Sequence, residues 1–446
     1  MVVLTEQSNK YPTEPLKCWN RAKELRQNFY LSIAQAKEKG AMLAAGSGGS
    51  FHAFTKGFGR DVIFLPGEPY GATAAFFHDF AAKTEEACEK AGIARDLCAY
   101  LRNYWGSILL DKYILPDGTV LDNWPKPDFL FTNHVCCSHA KWYQYASELE
   151  GDVPSVAIDM GPRVADLMTD EAIDYFVNQL SEAIEYLEKA IGRKFDDEAF
   201  IEAADNELAS LSMWADIYTL NQNIPAPLDE KSMFSLYVFG IMCPHLKEVT
   251  EFYRELRDEV KDRVARGIAA VSTERYRIAT DSQPPWGFLN VFRHLESYGA
   301  VSVGSVYSWG LVGIWDREDD GRFIPMKTPR EKGITPKNRQ EALRLYVEHK
   351  MKGSALLLMW STCHAKSDFF LQFVRDWKVD GVIVHLNRGC EGTAVGQMEN
   401  RLALIEAGIP VVTYEGNMAD NRDFDYARTL AKIEAFLDSQ GLKKLN

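Results

Sequence analysis

The segment KPDFLFTNHVCCSHAKWYQYASELEG, residues 126–151, decides the fold class. Phe129–Phe131 is a short apolar run with the length of a buried strand. A polar turn follows, carrying two adjacent cysteines between His134 and His139. Apolar residues then recur at helical spacing. Strand, loop and helix in that order is half of a parallel α/β unit. The same grammar recurs outward from this segment. RDVIFLPGEPYGA (60–72) reads as a strand running into a Gly/Pro loop, and PSVAIDMG (154–161) as a short buried strand. Further on, GAVSVGSVY (299–307), DGVIVHLNRGC (380–390) and IPVVTYEG (409–416) read as strands. CEGTAVGQMENRLALIEAG (390–408) reads as one helix closed by Gly408, and DYARTLAKIEAFLDSQG (425–441) as a terminal helix ending at Gly441.

The ends of the chain resemble each other in this alternation, and the middle differs. KCWNRAKELRQNFYLSIAQAKEKG (17–40) predicts an opening helix ended by Gly40. The stretches 169–194, 196–222 and 245–269 are amphipathic, the first beginning at a Thr169 cap. We therefore expect N-terminal helices and a first α/β domain over 1–165, a helical connection over 166–270, and a second α/β domain over 271–446. A chain of 446 residues is long enough for such a division.

Hydrophobic residues make up 46% of the chain and charged residues 25%, an ordinary globular composition. The net charge of −13, with no basic tract, argues against a broad nucleic-acid surface but leaves room for local Lys/Arg pockets that hold a phosphorylated ligand. The first residues lack the charged and apolar regions of a signal peptide. The longest apolar runs, SALLLMW (354–360) and DGVIVHL (380–386), are too short to cross a bilayer and read as buried strands. The expectation is a cytoplasmic chain with no membrane and no nucleic-acid partner.

Eight cysteines without a C-x-x-C pair suggest neither a disulfide framework nor a zinc ribbon. In open parallel sheets ligands gather at the carboxyl ends of strands. Both TNHVCCSH and HLNRGCEG fall at such ends, so Cys137 and Cys390 each sit between a strand and a helix N-terminus, where a thiolate is favoured. Cys98, in ARDLCAYLRNYWGS (94–107), is flanked by Arg95 and Arg102. Three thiolates from separated segments suit an iron–sulfur cluster, and three protein ligands would leave one iron of a cubane open.

The motifs ARDLCAYLRNYWGS, NHVCCSHAKWYQ and HLNRGCEGTAVGQMENRLALIEAGIPVVTYEGNMADNRDFD resemble the cluster-bearing subunits of the 2-hydroxyacyl-CoA dehydratase and benzoyl-CoA reductase family. KYPTEPLKCWNRAKELR, CCSHAKWYQ, DEVKDRVARGIAAV and HLNRGCEG are most similar to the B/O-type subunit of ATP-dependent (class I) benzoyl-CoA reductase, over about residues 10–440. The resemblance implies two flavodoxin-like parallel-sheet domains with additional helical segments, and a 4Fe–4S cluster between them. Its ligands would be Cys98, Cys390 and one thiol of the adjacent pair. Lys141 makes Cys137 the better match, with Cys136 the alternative. The resemblance also implies a smaller homologous iron–sulfur subunit, activating ATPase subunits and a low-potential electron donor such as ferredoxin.

On that resemblance the chain is expected to be the iron–sulfur subunit of an anaerobic aryl-CoA reductase, dearomatising benzoyl-CoA or a ring-substituted relative by single-electron steps. The alternative is a 2-hydroxyacyl-CoA dehydratase subunit, which removes water through a ketyl radical. A third reading is a non-catalytic scaffold of the same complex. Glu68 matches an acid near the substrate in the dehydratase branch, and Ser47 or Ser50 a nearby serine. Proton delivery points to His134 or His385, because histidine titrates near physiological pH; His139 reads as a supporting group beside the cluster. Arg388 is placed to balance cluster charge, while Asn387 and Glu391 shape the turn. Trp105, Trp142, Tyr143 and Trp286 are candidate pocket walls, the last rigidified by SQPPWGF (282–288). GSGGSF lacks nucleotide-loop spacing and the chain has no P-loop, so ATP would be used by partner subunits.

Overall fold

The computed structural model describes residues 10–160, 168–355 and 363–445. Two four-stranded parallel sheets organise it. The first comprises β1 (Leu43–Gly46), β2 (Ile63–Pro66), β5 (Phe129–His134) and β6 (Ser155–Asp159), in the order β2-β1-β5-β6. Between β2 and β5 lies an antiparallel hairpin of β3 (Lys112–Ile114) and β4 (Val120–Asp122). The second sheet comprises β7 (Tyr276–Asp281), β8 (Ala300–Ser305), β11 (Gly381–Asn387) and β12 (Val411–Gly416), in the order β12-β11-β7-β8. A second hairpin pairs β9 (Trp315–Arg317) with β10 (Phe323–Pro325).

Counting strands within each sheet, both have the order 2-1-3-4, the beginning of the flavodoxin-like order. The interior strands are buried along their length: β5 through Asn133, and all of β7. That is why they read as continuous apolar runs. The edge strands β6 and β12 are largely half-buried or exposed, whereas the opposite edges, β2 and β8, are buried.

Three long helices lie between the two sheets in the chain: Asp170–Ile191, Asp197–Leu220 and Lys247–Arg266. Thr169 Oγ1 accepts from Ala172 N and Asp196 from Glu198 N and Ala199 N, each satisfying first-turn donors. The opening helix spans Trp19–Ala34, and turns carry the chain on to Gly40. Residues 10–13 return to the far side of the chain, bridging Lys10 to Thr273 and Thr13 to Ala269.

Two elements differ from expectation. After β2 the chain forms the helix Gly67–Ala75, not a loop; Pro69 is tolerated because it falls among the first-turn amides that have no intrahelical partner. The segment 390–408 forms two helices, Glu391–Ala394 and Gln397–Glu406. Gly396 breaks them with φ +81°, a left-handed conformation that favours glycine. The apolar run 354–360 lies largely outside the described residues. Among the described residues, no helix is long and apolar enough to cross a membrane.

Candidate active site

In each sheet the connections diverge at one switch point, between β1 and β5 in the first and between β7 and β11 in the second. The crevice outside the carboxyl ends of strands at such a point is where open α/β sheets bind ligands. Here both crevices contribute to one cavity of about 1220 Å³ including its mouth. Gly48 and Gly49 follow β1, Cys136 follows β5, Gln283 follows β7 and Cys390 follows β11; all five line it. Cys98, which precedes the helix Ala99–Leu110, lines it as well.

Cys98, Cys136 and Cys390 are therefore brought to one cavity from segments far apart in sequence. Burial first, then the neighbouring Cys390 sulfur, pushes the Cys98 thiol well above its ordinary value, and Cys136 adds to the effect. Burial, opposed by the His139 amide and reinforced by Cys390 and Glu68, pushes Cys136 up to about 12. Such thiols stay protonated until a cation draws off the proton, which a bound metal does. Among the described residues no three His, Cys, Asp or Glu side chains converge tightly enough for a single metal ion. A cluster makes a different demand, since each thiolate takes its own iron. A set of three thiols around one partly open cavity fits that demand.

Cys137 lies elsewhere. It is the first residue of the helix Cys137–Leu149, is exposed, and does not line the cavity. Cys136 is the N-cap, in extended conformation, and one residue further the helix turns the next side chain away by about 100°. The structure thus brings the alternative thiol, not the one selected from Lys141, to Cys98 and Cys390.

Gln283 completes the surroundings of Cys390 and was not singled out in the sequence. Its side-chain oxygen Oε1 accepts from Asn387 Nδ2 at 2.9 Å, Ser282 Oγ at 3.0 Å and Thr393 Oγ1 at 2.5 Å. With the oxygen so occupied, its Nε2 donates to Cys390 Sγ at 3.0 Å. Nothing in SQPPWGF betrays this role, because three of its four partners, Asn387, Cys390 and Thr393, lie more than 100 positions away.

Glu68 lies in the first turn of the helix Gly67–Ala75 and lines the cavity. Oε2 accepts from Gly48 N at 2.6 Å, and Oε1 lies 2.5 Å from His139 Nε2. Burial opposes its charge, but the His139 charge, its hydrogen bond and the Gly48 amide outweigh burial and hold the carboxyl below its usual range. Gly67 permits this arrangement: a Cβ there would meet Tyr143 Oη at 2.4 Å and the Trp142 ring at 2.8 Å. Trp142 and Tyr143 are fully buried and stack on each other, seating the helix 137–149, and Trp142 lines the cavity as expected while Tyr143 does not. Trp105 is likewise buried, bonding the Trp142 carbonyl at 3.0 Å.

The other expected residues stand apart from the cavity wall. His134 is exposed at the end of β5, with Nδ1 4.0 Å from Asp159. His385 is buried within β11, stacked on Tyr414, with Nδ1 2.7 Å from the Gln283 carbonyl; burial lowers its pKa to about 4. Ser47 bonds Asn133 Oδ1 at 2.5 Å. Ser50 is buried, and among the described residues its hydroxyl has no hydrogen-bond partner. Arg388 is exposed and pairs with Glu415 at 2.6 Å. Asn387 Oδ1 accepts from Gly389 N at 3.1 Å and so shapes the turn.

Lys350, on the helix Arg339–Gly353, reaches the cavity from the opposite wall, ion-paired to the fully buried Glu207. Glu207 also accepts from Ala53 N and Tyr346 Oη, each at 2.8 Å. Burial opposes its charge, and Lys350 then His52 overcome it, holding the carboxyl low. An amphipathic helix shows in sequence which residues are acidic, not which acid is buried, so this network was invisible there.

A cavity lined by three thiols and a carboxylate, shared by two parallel sheets of equal order, defines a cleft-type α/β enzyme fold. The chain belongs to the 2-hydroxyglutaryl-CoA dehydratase, D-component family, whose model matches residues 70–439. It is 27% identical over 433 residues to the (R)-2-hydroxyisocaproyl-CoA dehydratase alpha subunit of Clostridioides difficile, covering 95% of this chain and 96% of that subunit. It is 26% identical over 320 residues to (R)-2-hydroxyglutaryl-CoA dehydratase, subunit alpha, of Acidaminococcus fermentans, covering 71% and 61%. It is 24% identical over 365 residues to the (R)-phenyllactyl-CoA dehydratase alpha subunit of Clostridium sporogenes, covering 80% of each chain.

Proposed function

We propose that this chain is the alpha-type subunit of a 2-hydroxyacyl-CoA dehydratase complex. Cys98, Cys136 and Cys390 would hold its 4Fe–4S cluster. The observation that carries the reading is the meeting of three distant thiols at the cavity that also contains the Glu68–His139 pair. Relatives named as dehydratases support dehydration over the aryl-CoA reduction expected from the sequence. A cluster bound there would lend and recover single electrons, so loss of a 2-hydroxyl and a 3-proton as water need consume no reductant overall.

This chain's residues would do the rest. Glu68, held as a carboxylate, can accept a proton at Oε1, and the bond to His139 Nε2 lets the pair hold or pass it. Gln283 holds Cys390 through its amide, orienting the thiolate and setting its electrostatic surroundings. The apolar part of the lining, including Met160, Leu211 and Ile241, excludes water around the reacting thioester. A homologous partner subunit and an ATP-using activator belong to this reading, as does an anaerobic setting.

Aryl-CoA reduction is the second reading. A neighbouring cavity walled by Phe76, Phe234, Tyr237 and Trp286 favours it, since those rings would accept an aromatic acyl group. An aryl 2-hydroxyacyl group would fit the same wall. The deciding experiment purifies the complex anaerobically and supplies ATP, activator and reductant. With (R)-2-hydroxyisocaproyl-CoA or (R)-phenyllactyl-CoA, formation of 2-enoyl-CoA with only catalytic reductant supports dehydration. Inertness toward both, with benzoyl-CoA consumed at two electrons per ring, refutes it.

A further inference from the structure

Behind the Glu68 wall lies a second cavity of about 490 Å³. It shares Glu68, Tyr100, Ile241 and Tyr307 with the thiol-lined cavity, so the two are neighbours across one wall. Trp286 lies in it stacked on Tyr237, rings 6.1 Å apart and 7° from parallel, and bonded to Tyr100 Oη. On its other side stands Arg26, from the helix Trp19–Ala34.

Arg26 is half-buried, and among the described residues it makes no hydrogen bond and no ion pair. Arg401 is likewise half-buried with its Nε unpartnered among the described residues, but Arg26 stands in the wall of a cavity. The fully buried arginines are all engaged: Arg102 with Asp420, Arg277 with Glu274, and Arg263 with the carbonyls of Glu14, Pro227 and Ala269. Arg21, on the same helix, pairs with Glu255. Burial lowers the Arg26 pKa, and the nearby Tyr30 opposes that only in part.

Among the described residues lining the cavity the one carboxylate is Glu68, which is bonded by His139 and Gly48 and forms no ion pair with Arg26. Of the hydroxyls in its wall, Thr73 is bonded to Tyr30 at 2.8 Å, Ser235 to the Lys231 carbonyl at 3.0 Å, Tyr100 to Trp286, and Tyr237 to Tyr307. A guanidinium presents a planar fork matched to carboxylate or phosphate oxygens, and partial desolvation strengthens such bonds.

We propose that Arg26 is a substrate-binding residue that receives an oxyanion of the acyl-CoA, either a phosphate of the CoA part or a carboxylate at the far end of the acyl group. The inference rests on the acyl-CoA reading above. It assigns the second cavity to the substrate's path and makes Arg26 a determinant of affinity.

The test is equilibrium binding to the anaerobically purified complex, followed by titration calorimetry. The probes are CoA, isocaproyl-CoA and glutaryl-CoA; the variants are Arg26→Gln, Arg26→Lys and, as control, Arg21→Gln. Arg26→Gln should weaken binding about tenfold or more, Arg26→Lys less, and Arg21→Gln not at all. Equal weakening for all three probes identifies a CoA phosphate as the anion; weakening for glutaryl-CoA alone identifies the acyl carboxylate. Removing an unpaired, half-buried charge should leave the melting temperature unchanged or raised. Unaltered binding of every probe by Arg26→Gln overturns the inference while leaving the acyl-CoA reading intact. So does a marked fall in melting temperature, which would make Arg26 structural. A wild-type complex that binds none of the probes overturns both.

Discussion

Asp420→Asn tests how the Cys98 turn is held against the second sheet. Asp420 is fully buried in the stretch after β12. Oδ2 accepts from Arg102 Nη2 at 3.0 Å and Arg422 Nη2 at 2.7 Å, and Oδ1 from Arg422 Nε at 2.9 Å. Arg102, equally buried, donates from Nε to the Leu97 carbonyl at 3.1 Å, one residue before Cys98. Burial opposes the Asp420 charge, but the bond from Arg422 and the charge and bond of Arg102 prevail and hold its pKa well below the carboxylate range. Asparagine keeps the shape and removes the charge, leaving Arg102 buried with Glu89 3.8 Å away and one-third exposed, and with the buried Glu85, whose carboxyl the Asp420 charge helped to keep protonated. Removing one partner of a buried pair costs about 3–5 kcal/mol. Glu89 offsets part of that, so the expected loss is about 3 kcal/mol. Urea unfolding under anaerobic conditions reads it as a lower midpoint at unchanged slope. Asp420→Asn combined with Arg102→Met should recover part of the loss, because no charge is then stranded. Wild-type Asp420 stabilises most above its unfolded value of 3.8, so the gap between the two proteins closes as pH falls below that. A single-variant loss under about 1 kcal/mol, or a double variant no better than the single, would refute the reasoning.

In the complex, Cys98→Ala, Cys136→Ala and Cys390→Ala should each abolish the cluster's EPR signal and lower bound iron, whereas Cys137→Ala should spare both. Glu68→Gln should lower kcat on the order of 10²–10⁴-fold with acyl-CoA affinity retained, read by steady-state kinetics and calorimetry. Gly67→Ala should lose about 1–3 kcal/mol by thermal or urea unfolding, since its new methyl collides with the Tyr143–Trp142 pair. Burial first, and the Asp420 carboxylate second, push Glu85 up to about 9 from an unfolded 4.5, so the fold keeps a proton that the unfolded chain releases. Stability from Glu85 is therefore full below 4.5 and declines as pH rises toward 9; Glu85→Gln should flatten that slope in unfolding measured between pH 5 and 9.

What the sequence disclosed follows from the range of the interactions involved. β5 and β11 are buried on both faces, so their apolar runs announce them without any partner being known. Thr169 caps its helix through a bond three residues away, which is equally local. Which of Cys136 and Cys137 faces the cavity is hidden in the sequence for a different reason. Lysine spacing fixes the helix only to within a residue, and one residue separates an N-cap aimed into the cavity from a side chain turned to solvent. The chemistry of His385 and His134 beside strand ends is legible, but their depth is not: His385 lies inside the buried body of β11 and His134 at the exposed end of β5. Gln283, Lys350 and Arg26 carry no local signal at all, since their roles arise from segments brought together by the fold.

The repeated strand order explains why the thiols are so far apart in sequence. A single 2-1-3-4 sheet has one crevice, open to solvent on its far side, and can offer a ligand only one wall. Setting two such crevices against one cavity supplies opposing walls: Gly48, Cys136 and Glu68 from the first sheet, Gln283 and Cys390 from the second. Each sheet then contributes one thiol at its switch point, and Cys98, on the helix that joins them through Arg102 and Asp420, contributes the third. A site built this way depends on the contact between the two halves as much as on its own residues. That dependence is why loosening the buried Arg102–Asp420 pair, which touches no thiol directly, should disturb cluster retention as well as stability.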